Sequence, residues 1–198
     1  MTTPLAIRTT LWLWLTAALL AGRLLLLQRV PMPAVQAVLF GVTALLVLAY
    51  RASALWRTWA NAIPLRGLLL LHVTRFVGFY FIWLYRRDEL PYAFAVPGGL
   101  GDIAVATLAL VVALAPFAPA TRLRAITIWN VVGTVDIAMV VMTAARLARA
   151  DPSSMRALTH LPLSLLPTLV VPAIIATHLL IFARLRRETQ TLDARPGR

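Results

Sequence analysis

The chain has 198 residues, of which 61% are hydrophobic and only 13% are charged. A soluble domain is nearer half apolar and a quarter charged, so this composition excludes a water-soluble globular fold and predicts an all-α polytopic membrane protein. The net charge is +12, but the 19 basic residues are all arginines scattered in short loops between apolar runs. That pattern indicates contacts with lipid phosphates and disfavours a nucleic acid partner.

Six apolar segments follow one another, each near the roughly 20 residues that cross about 30 Å of hydrocarbon. They are residues 10–27, 34–50, 64–85, 96–117, 125–145 and 161–183. The first has the arginine and small residues of a signal peptide, but its apolar run is too long for one, which favours a span over the cleaved alternative. No linker between the segments is long enough for another domain. We expect a bundle of about six transmembrane helices in one domain, residues 1–185, and a polar cytoplasmic tail, residues 186–198.

The arginines are distributed unequally over the two sides of this bundle. Eleven fall on the side of the N-terminus and seven on the opposite side, while Arg75 lies inside the third segment. Cytoplasmic loops carry the excess of basic residues, so both termini are expected in the cytoplasm of a bacterium, with the chain in the inner (plasma) membrane. Transporters with inverted repeats also consist of three segments followed by three more, although the two halves of this chain show no clear sequence similarity.

Several polar residues lie inside the apolar segments, where their hydrophobic surroundings disfavour them. Ionisable groups at such depth are costly and usually face a protein interior or a cavity, so they mark where function lies. We predict a polar centre or ligand-binding site between the third, fourth, fifth and sixth segments. Its residues are His72, Arg75, Asp102, Asn130, Asp136 and His178.

The two histidines of this set enter from the same side of the membrane. At 1.5 Å per residue, His72 lies about 12 Å deep and His178 about 9 Å deep, so we expect their side chains within about 10 Å of each other. Two facing imidazoles could ligate a haem iron or share a metal. Alternatively, each histidine donates a hydrogen bond to a neighbouring helix or lies near the lipid headgroups. The third histidine, His160, lies on the opposite side and cannot join them.

Arg75 lies three residues after His72, on the same helix face, and Phe79 is expected to continue that face. At about 16 Å depth the arginine needs a partner. Asp136 lies at nearly the same depth and is the favoured partner, while Asp102 approaches from the other side. A structural ion pair is the favoured interpretation. The functional alternatives are a proton or ion relay and a clamp for an anionic ligand.

Glycines and prolines mark two further sites in these segments. The stretch 97–102 contains a proline and three glycines at the start of the fourth segment, a pattern typical of close helix packing. It lacks the lysine and the preceding strand of a phosphate loop. Pro167 and Pro172 predict an interruption of the sixth segment, whose freed carbonyls nearby serine and threonine hydroxyls could satisfy.

Three short motifs carry a resemblance to a known group of proteins. They are Arg75-Phe-Val-Gly78, Val96-Pro-Gly-Gly-Leu-Gly-Asp-Ile103 and Trp129-Asn-Val-Val-Gly-Thr-Val-Asp136. The chain resembles an uncharacterised family of small multi-pass bacterial inner-membrane proteins. The resemblance covers the third to sixth segments and implies location and fold, but no activity and no catalytic residue.

The leading hypothesis is a small transporter or a membrane accessory protein of unknown activity. The alternative is a membrane redox protein that binds haem b through His72 and His178; no cofactor is otherwise expected. An enzyme is disfavoured, because the chain has no cysteine and none of its serines lies in a G-x-S-x-G turn. The expected partner is the lipid bilayer, with a homo-oligomer or a larger membrane complex left open.

Overall fold

The structure is a computed structural model that describes residues 3–193, except for the side chains at position 32 and at positions 188–193. Within these residues the chain is all helical and has no β-strand. The α-helices are α1 (Leu5–Arg23), α2 (Met32–Ala52), α3 (Ala54–Ala62), α4 (Leu65–Leu71), α5 (Val77–Tyr85), α6 (Tyr92–Leu114), α7 (Pro119–Ala150) and α8 (Val171–Asp193).

Six stretches of this part of the chain are long and apolar enough to cross a membrane. They are Leu5–Arg23, Pro33–Ala52, Leu65–Tyr85, Tyr92–Leu114, Pro119–Ala150 and Leu166–Arg187. The predicted all-α class with six spans is therefore confirmed. Helix α8 continues to Asp193, so positions 186–193 of the predicted polar tail are helical, and positions 194–198 lie outside the described residues. The domain boundary at residue 185 stays a prediction.

The helices differ from those expected in three places. Helix α3 was not predicted; it is a short amphipathic helix between the second and third spans, and the Ser53 hydroxyl accepts the Trp56 N–H at its start. Helix α7 has 32 residues and extends beyond 125–145 at both ends. Helix α6 begins at Tyr92, so Pro97 lies inside the helix and not at its first position.

The third span is not one continuous α-helix. A 3₁₀ stretch, His72–Phe76, joins α4 to α5. Because a 3₁₀-helix has three residues per turn, His72 and Arg75 project from the same side, and both are buried. The tighter winding also rotates the first turn of α5 relative to α4. As a result, Phe79 does not lie on the buried face, and it is 60% exposed. The expectation that Phe79 continues the buried face was wrong, because it assumed an uninterrupted α-helix.

The sixth span contains the predicted interruption, which takes the form of a π-helical turn over Leu166–Val170. Pro172 has no N–H to donate to the carbonyl four residues earlier, that of Thr168. The indole Nε1 of Trp14, on α1, donates to this carbonyl at 2.8 Å. The Thr168 hydroxyl itself donates to the Ser164 carbonyl at 2.7 Å. The interruption is thus satisfied by neighbouring side chains and attaches α1 to the bundle.

The central span is α6, which packs against α4, α5 and α7. Its crossing with α5 is close because two glycines meet there: a Cβ atom at Gly78 would lie 3.0 Å from the Gly99 Cα. This contact confirms close packing as the role of a glycine in the 97–102 stretch. Helices α1 and α2 are less buried than the other spans; both contact the π-helical turn, and α2 also packs against α7 and α8. The four more buried spans therefore enclose the residues of the predicted polar centre.

Candidate polar site between the buried spans

The structure brings together all six residues that were predicted to form a polar centre. They project from the 3₁₀ stretch, α6, α7 and α8 toward one another. Five of them are at most 3% exposed, and the Asp136 side chain is 19% exposed. That this cluster binds a ligand stays a prediction. Its geometry indicates which groups could donate or accept hydrogen bonds to one.

Arg75 contacts both aspartates, where pairing with one was expected. Its Nε donates to Asp102 Oδ1 at 2.6 Å, and one terminal nitrogen, Nη2, donates to Asp136 Oδ2. The other terminal nitrogen donates to the Gly133 carbonyl at 3.2 Å. One arginine thereby connects the third span to α6 and α7, and each of its three nitrogens has an acceptor. The two carboxylates and one guanidinium carry a formal net charge of −1.

Glycines provide the space that this arrangement needs. A Cβ atom at Gly101 would collide with Asp136 Oδ1, so the carboxylate lies directly against the α6 backbone. A Cβ atom at Gly133 would lie 2.7 Å from His178 Cε1, so the imidazole packs against the α7 backbone. Any larger residue at either position would displace a member of the site.

His178 and Asn130 form a pair with two hydrogen bonds. The ring Nδ1 of His178 lies 2.8 Å from Asn130 Oδ1, and Asn130 Nδ2 donates to the His178 carbonyl at 3.2 Å. An amide oxygen only accepts, so the hydrogen-bond pattern assigns the ring proton to Nδ1. The other ring nitrogen, Nε2, is then a bare acceptor, and it is buried with no hydrogen-bond partner among the described residues.

The same reasoning gives His72 the opposite tautomer. The Thr177 hydroxyl donates its proton to the Ile174 carbonyl at 2.8 Å, so it must accept from His72 Nε2, which lies 3.1 Å away. His72 Nδ1 is therefore bare, and it too is buried with no hydrogen-bond partner in the described part of the chain. The centre thus contains two unpaired imidazole acceptors beside its net negative charge.

Trp129 completes the wall around the histidines. Its ring lies edge-on to His72, with 4.7 Å between centroids, and 5.4 Å from His178. Its Nε1 donates to the Val105 carbonyl at 3.0 Å, which fixes the indole between α6 and α7. Sequence reasoning did not include Trp129 in the site. Its position next to Asn130 was the available signal, since adjacent residues on a helix can share one wide buried face.

The geometry does not fit a haem between the two histidines. Their ring centroids are 4.4 Å apart, so the histidines are near each other as expected. At that separation the rings are in direct contact, and a porphyrin would have to lie between them. Within residues 3–193, no group of three or more possible metal ligands is found. His160 bonds Gln28 at 2.7 Å at the opposite end of the bundle, as its sequence position predicted.

A small cavity adjoins the ion triad. It has a volume of about 80 Å³ and is lined by Arg75 and Asp102 together with mainly apolar residues of α2, α5, α7, the π-helical turn, the start of α8 and the segment 155–159. A buried water needs roughly 10–15 Å³ measured in this way, so the cavity has room for several waters or one small solute. Thr74 lies on its wall and also on the wall of a larger groove.

A comparison with protein-family models matches residues 32–186 to a domain of unknown function, DUF8737. The match covers well over half of the chain, which therefore belongs to the DUF8737 family. It includes every residue of the polar centre. No curated protein and no solved structure matches the chain.

Proposed function

We propose that this member of the DUF8737 family is a small transporter of the bacterial inner membrane, with both termini in the cytoplasm. Its polar centre binds a proton or a small hydrogen-bond-donating cation. The observation that carries this proposal is the buried triad in which two aspartates share one arginine.

Charge balance supports a cationic ligand. The triad has a formal charge of −1, and a net charge at membrane depth is costly unless something neutralises it. A bound proton or cation would supply the missing positive charge. A clamp for an anionic ligand is less well supported, because the guanidinium already has two carboxylate partners.

The inventory of donors and acceptors supports the same ligand class. The ring protons of His72 and His178 and each nitrogen of Arg75 already have acceptors. The free groups are acceptors: His72 Nδ1 and His178 Nε2. A ligand that complements the centre must therefore donate hydrogen bonds, as hydronium or an ammonium group does.

The distribution of charge supports the orientation. Eleven arginines fall on the side of the N-terminus and seven on the opposite side. Because cytoplasmic loops carry the excess of basic residues, this arginine asymmetry favours a cytoplasmic N-terminal side.

The proposal is tested by proton flux into liposomes. The purified protein is reconstituted with an internal pH-sensitive dye, and a potassium diffusion potential drives the flux. We expect acidification above that of protein-free liposomes, lost in Asp136→Asn and retained in Asp88→Asn, a matched variant in an exposed loop. In a second experiment, ammonium is added outside the liposomes as the only permeant cation, and the same internal dye reports the change in pH. If proteoliposomes and protein-free liposomes acidify at the same rate in both experiments, the transporter assignment is overturned. The hypothesis of a membrane accessory protein would then remain.

A further inference from the structure

A groove of about 930 Å³, far larger than the cavity at the ion triad, lies at the N-terminal end of the bundle. Its walls come from α1, α2, α3, α4, α8 and the π-helical turn. Small ligand sites commonly have about 300–1,000 Å³, so its volume is that of a binding site for a whole molecule.

The interior of the groove is apolar along its length. Representative wall residues are Leu15, Leu46, Leu68, Ala173 and Ala176. Its contacts on α8 and the π-helical turn run from Leu169 to Arg186, which at 1.5 Å per residue is about 25 Å. That length exceeds half of the roughly 30 Å hydrocarbon thickness, so an entire lipid tail fits. A polar solute would find few partners there.

The end of the groove nearest the chain termini is cationic and aromatic. Arg51 and Arg186 lie on its wall and are exposed, and Trp56 and Trp59 of the amphipathic helix α3 lie beside them. Arg187 donates to the hydroxyl of Tyr50, another wall residue, at 3.1 Å.

We propose that this groove binds one membrane lipid with an anionic phosphate headgroup, its tail in the apolar interior and its phosphate between Arg51 and Arg186. Charge complementarity selects the headgroup, because guanidinium groups bind phosphate through paired charge-assisted hydrogen bonds. The apolar walls select a long hydrocarbon chain over a soluble phosphate. Tryptophans at the mouth match the headgroup level at which aromatic residues concentrate.

The site is separate from the polar centre but touches it. Thr177 lies on the groove wall, and its hydroxyl accepts from His72 Nε2 at 3.1 Å. A lipid tail in the groove would therefore pack against Thr177, the residue that accepts the hydrogen bond from His72. The lipid proposal does not depend on the transport proposal, since it rests on the groove and its arginines.

Native mass spectrometry of the full-length protein in detergent tests the proposal. The delipidated protein is titrated with phosphatidylglycerol, with phosphatidylcholine of the same chains, and with glycerol phosphate. We expect one phosphatidylglycerol to bind at least about tenfold more tightly than phosphatidylcholine, a preference lost in the double variant R51Q/R186Q. The double variant R122Q/R124Q removes the same charge at the same end, from α7 outside the groove, and keeps the preference.

A second variant separates the tail site from the headgroup site. Ala176→Phe narrows the apolar interior and leaves the arginines unchanged, so phosphatidylglycerol binding should fall. Equal binding of the two lipids, or equal loss in R51Q/R186Q and R122Q/R124Q, would overturn the proposal and indicate general surface charge. Competition by glycerol phosphate as strong as by the lipid would also overturn it, because the site would then recognise phosphate alone.

Discussion

Asn130 holds His178 through two hydrogen bonds: the ring Nδ1–H donates to Asn130 Oδ1, and Asn130 Nδ2 donates to the His178 carbonyl. The pair fixes both the orientation of the imidazole and the nitrogen that carries its proton. The unprotonated Nε2 is thereby turned toward the α7 backbone at Gly133, where no side chain separates them. The polar centre is preorganised as a set of acceptors.

The two buried histidines should have opposite tautomers. In ¹⁵N NMR spectra of histidine-labelled protein in lipid, we expect the proton on Nδ1 of His178 and on Nε2 of His72. Asn130→Leu removes the acceptor that orients His178 and should change its spectrum, while His160 serves as an internal reference at the other end of the bundle. The same tautomer at both buried positions would contradict the hydrogen-bond assignment.

Removal of Arg75 should be strongly destabilising. Arg75→Ala leaves two aspartates without their buried cation, and breaking such a group costs about 3–5 kcal/mol of unfolding free energy. Denaturant unfolding in detergent measures this loss. Addition of Asp136→Ala to Arg75→Ala should cause little further loss, because the surviving charge is the main cost. The control is Arg87→Ala, whose pair with Glu89 is exposed and contributes about 1 kcal/mol or less. Equal losses for the two arginines would refute the buried triad.

Gly101 should tolerate no side chain. Gly101→Ala pushes a methyl group into the Asp136 carboxylate, and overpacking of this kind costs about 1–3 kcal/mol. Gly41→Ala is the matched helix substitution, since nothing lies within 4 Å of its Cβ position, and it should be neutral or stabilising by up to about 1 kcal/mol. Thermal unfolding in detergent compares the two. A Gly101→Ala protein as stable as Gly41→Ala would show that Asp136 does not pack against α6.

The sequence predicted the spans and the members of the polar centre because both follow from hydrophobicity. Apolar runs of about 20 residues define the spans, and a polar residue within one must turn inward. The 3₁₀ stretch at His72–Phe76 was not predictable in this way, because no proline or glycine interrupts it. Helix α3 was missed because the membrane signal is a long apolar run, whereas this helix is short and amphipathic.

Depth estimates could not predict which residues of the polar centre contact one another. Depth placed Asp136 beside Arg75 and left Asp102 as the alternative, whereas both are bound. Rise per residue fixes only the position along a helix, and the branched guanidinium reaches two neighbours at once. Close packing was predicted for the glycines of the stretch 97–102, which include Gly101, but not for Gly133. The contacts of these two glycines with Asp136 and His178 depend on the positions of three helices.

The orientation can be checked by chemical labelling, because the chain has no cysteine of its own. Arg57→Cys, in α3, and Asp88→Cys, after α5, place single thiols at opposite ends of the bundle, and both positions are exposed. A membrane-impermeant maleimide added to bacteria with a permeabilised outer membrane should label position 88 and not position 57. Labelling of position 57 alone would invert the proposed topology.

The most direct test of the central claim, that the buried triad binds a proton or small cation, is charge movement after a concentration jump. Proteoliposomes adsorbed on a solid-supported membrane are exposed to a rapid step in pH, or in ammonium at constant pH, and the transient current is recorded. We expect a transient with the native protein, its loss in Asp102→Asn and Asp136→Asn, and its retention in Asp88→Asn. Native-size transients in both buried-aspartate variants, or none in the native protein, would contradict the account.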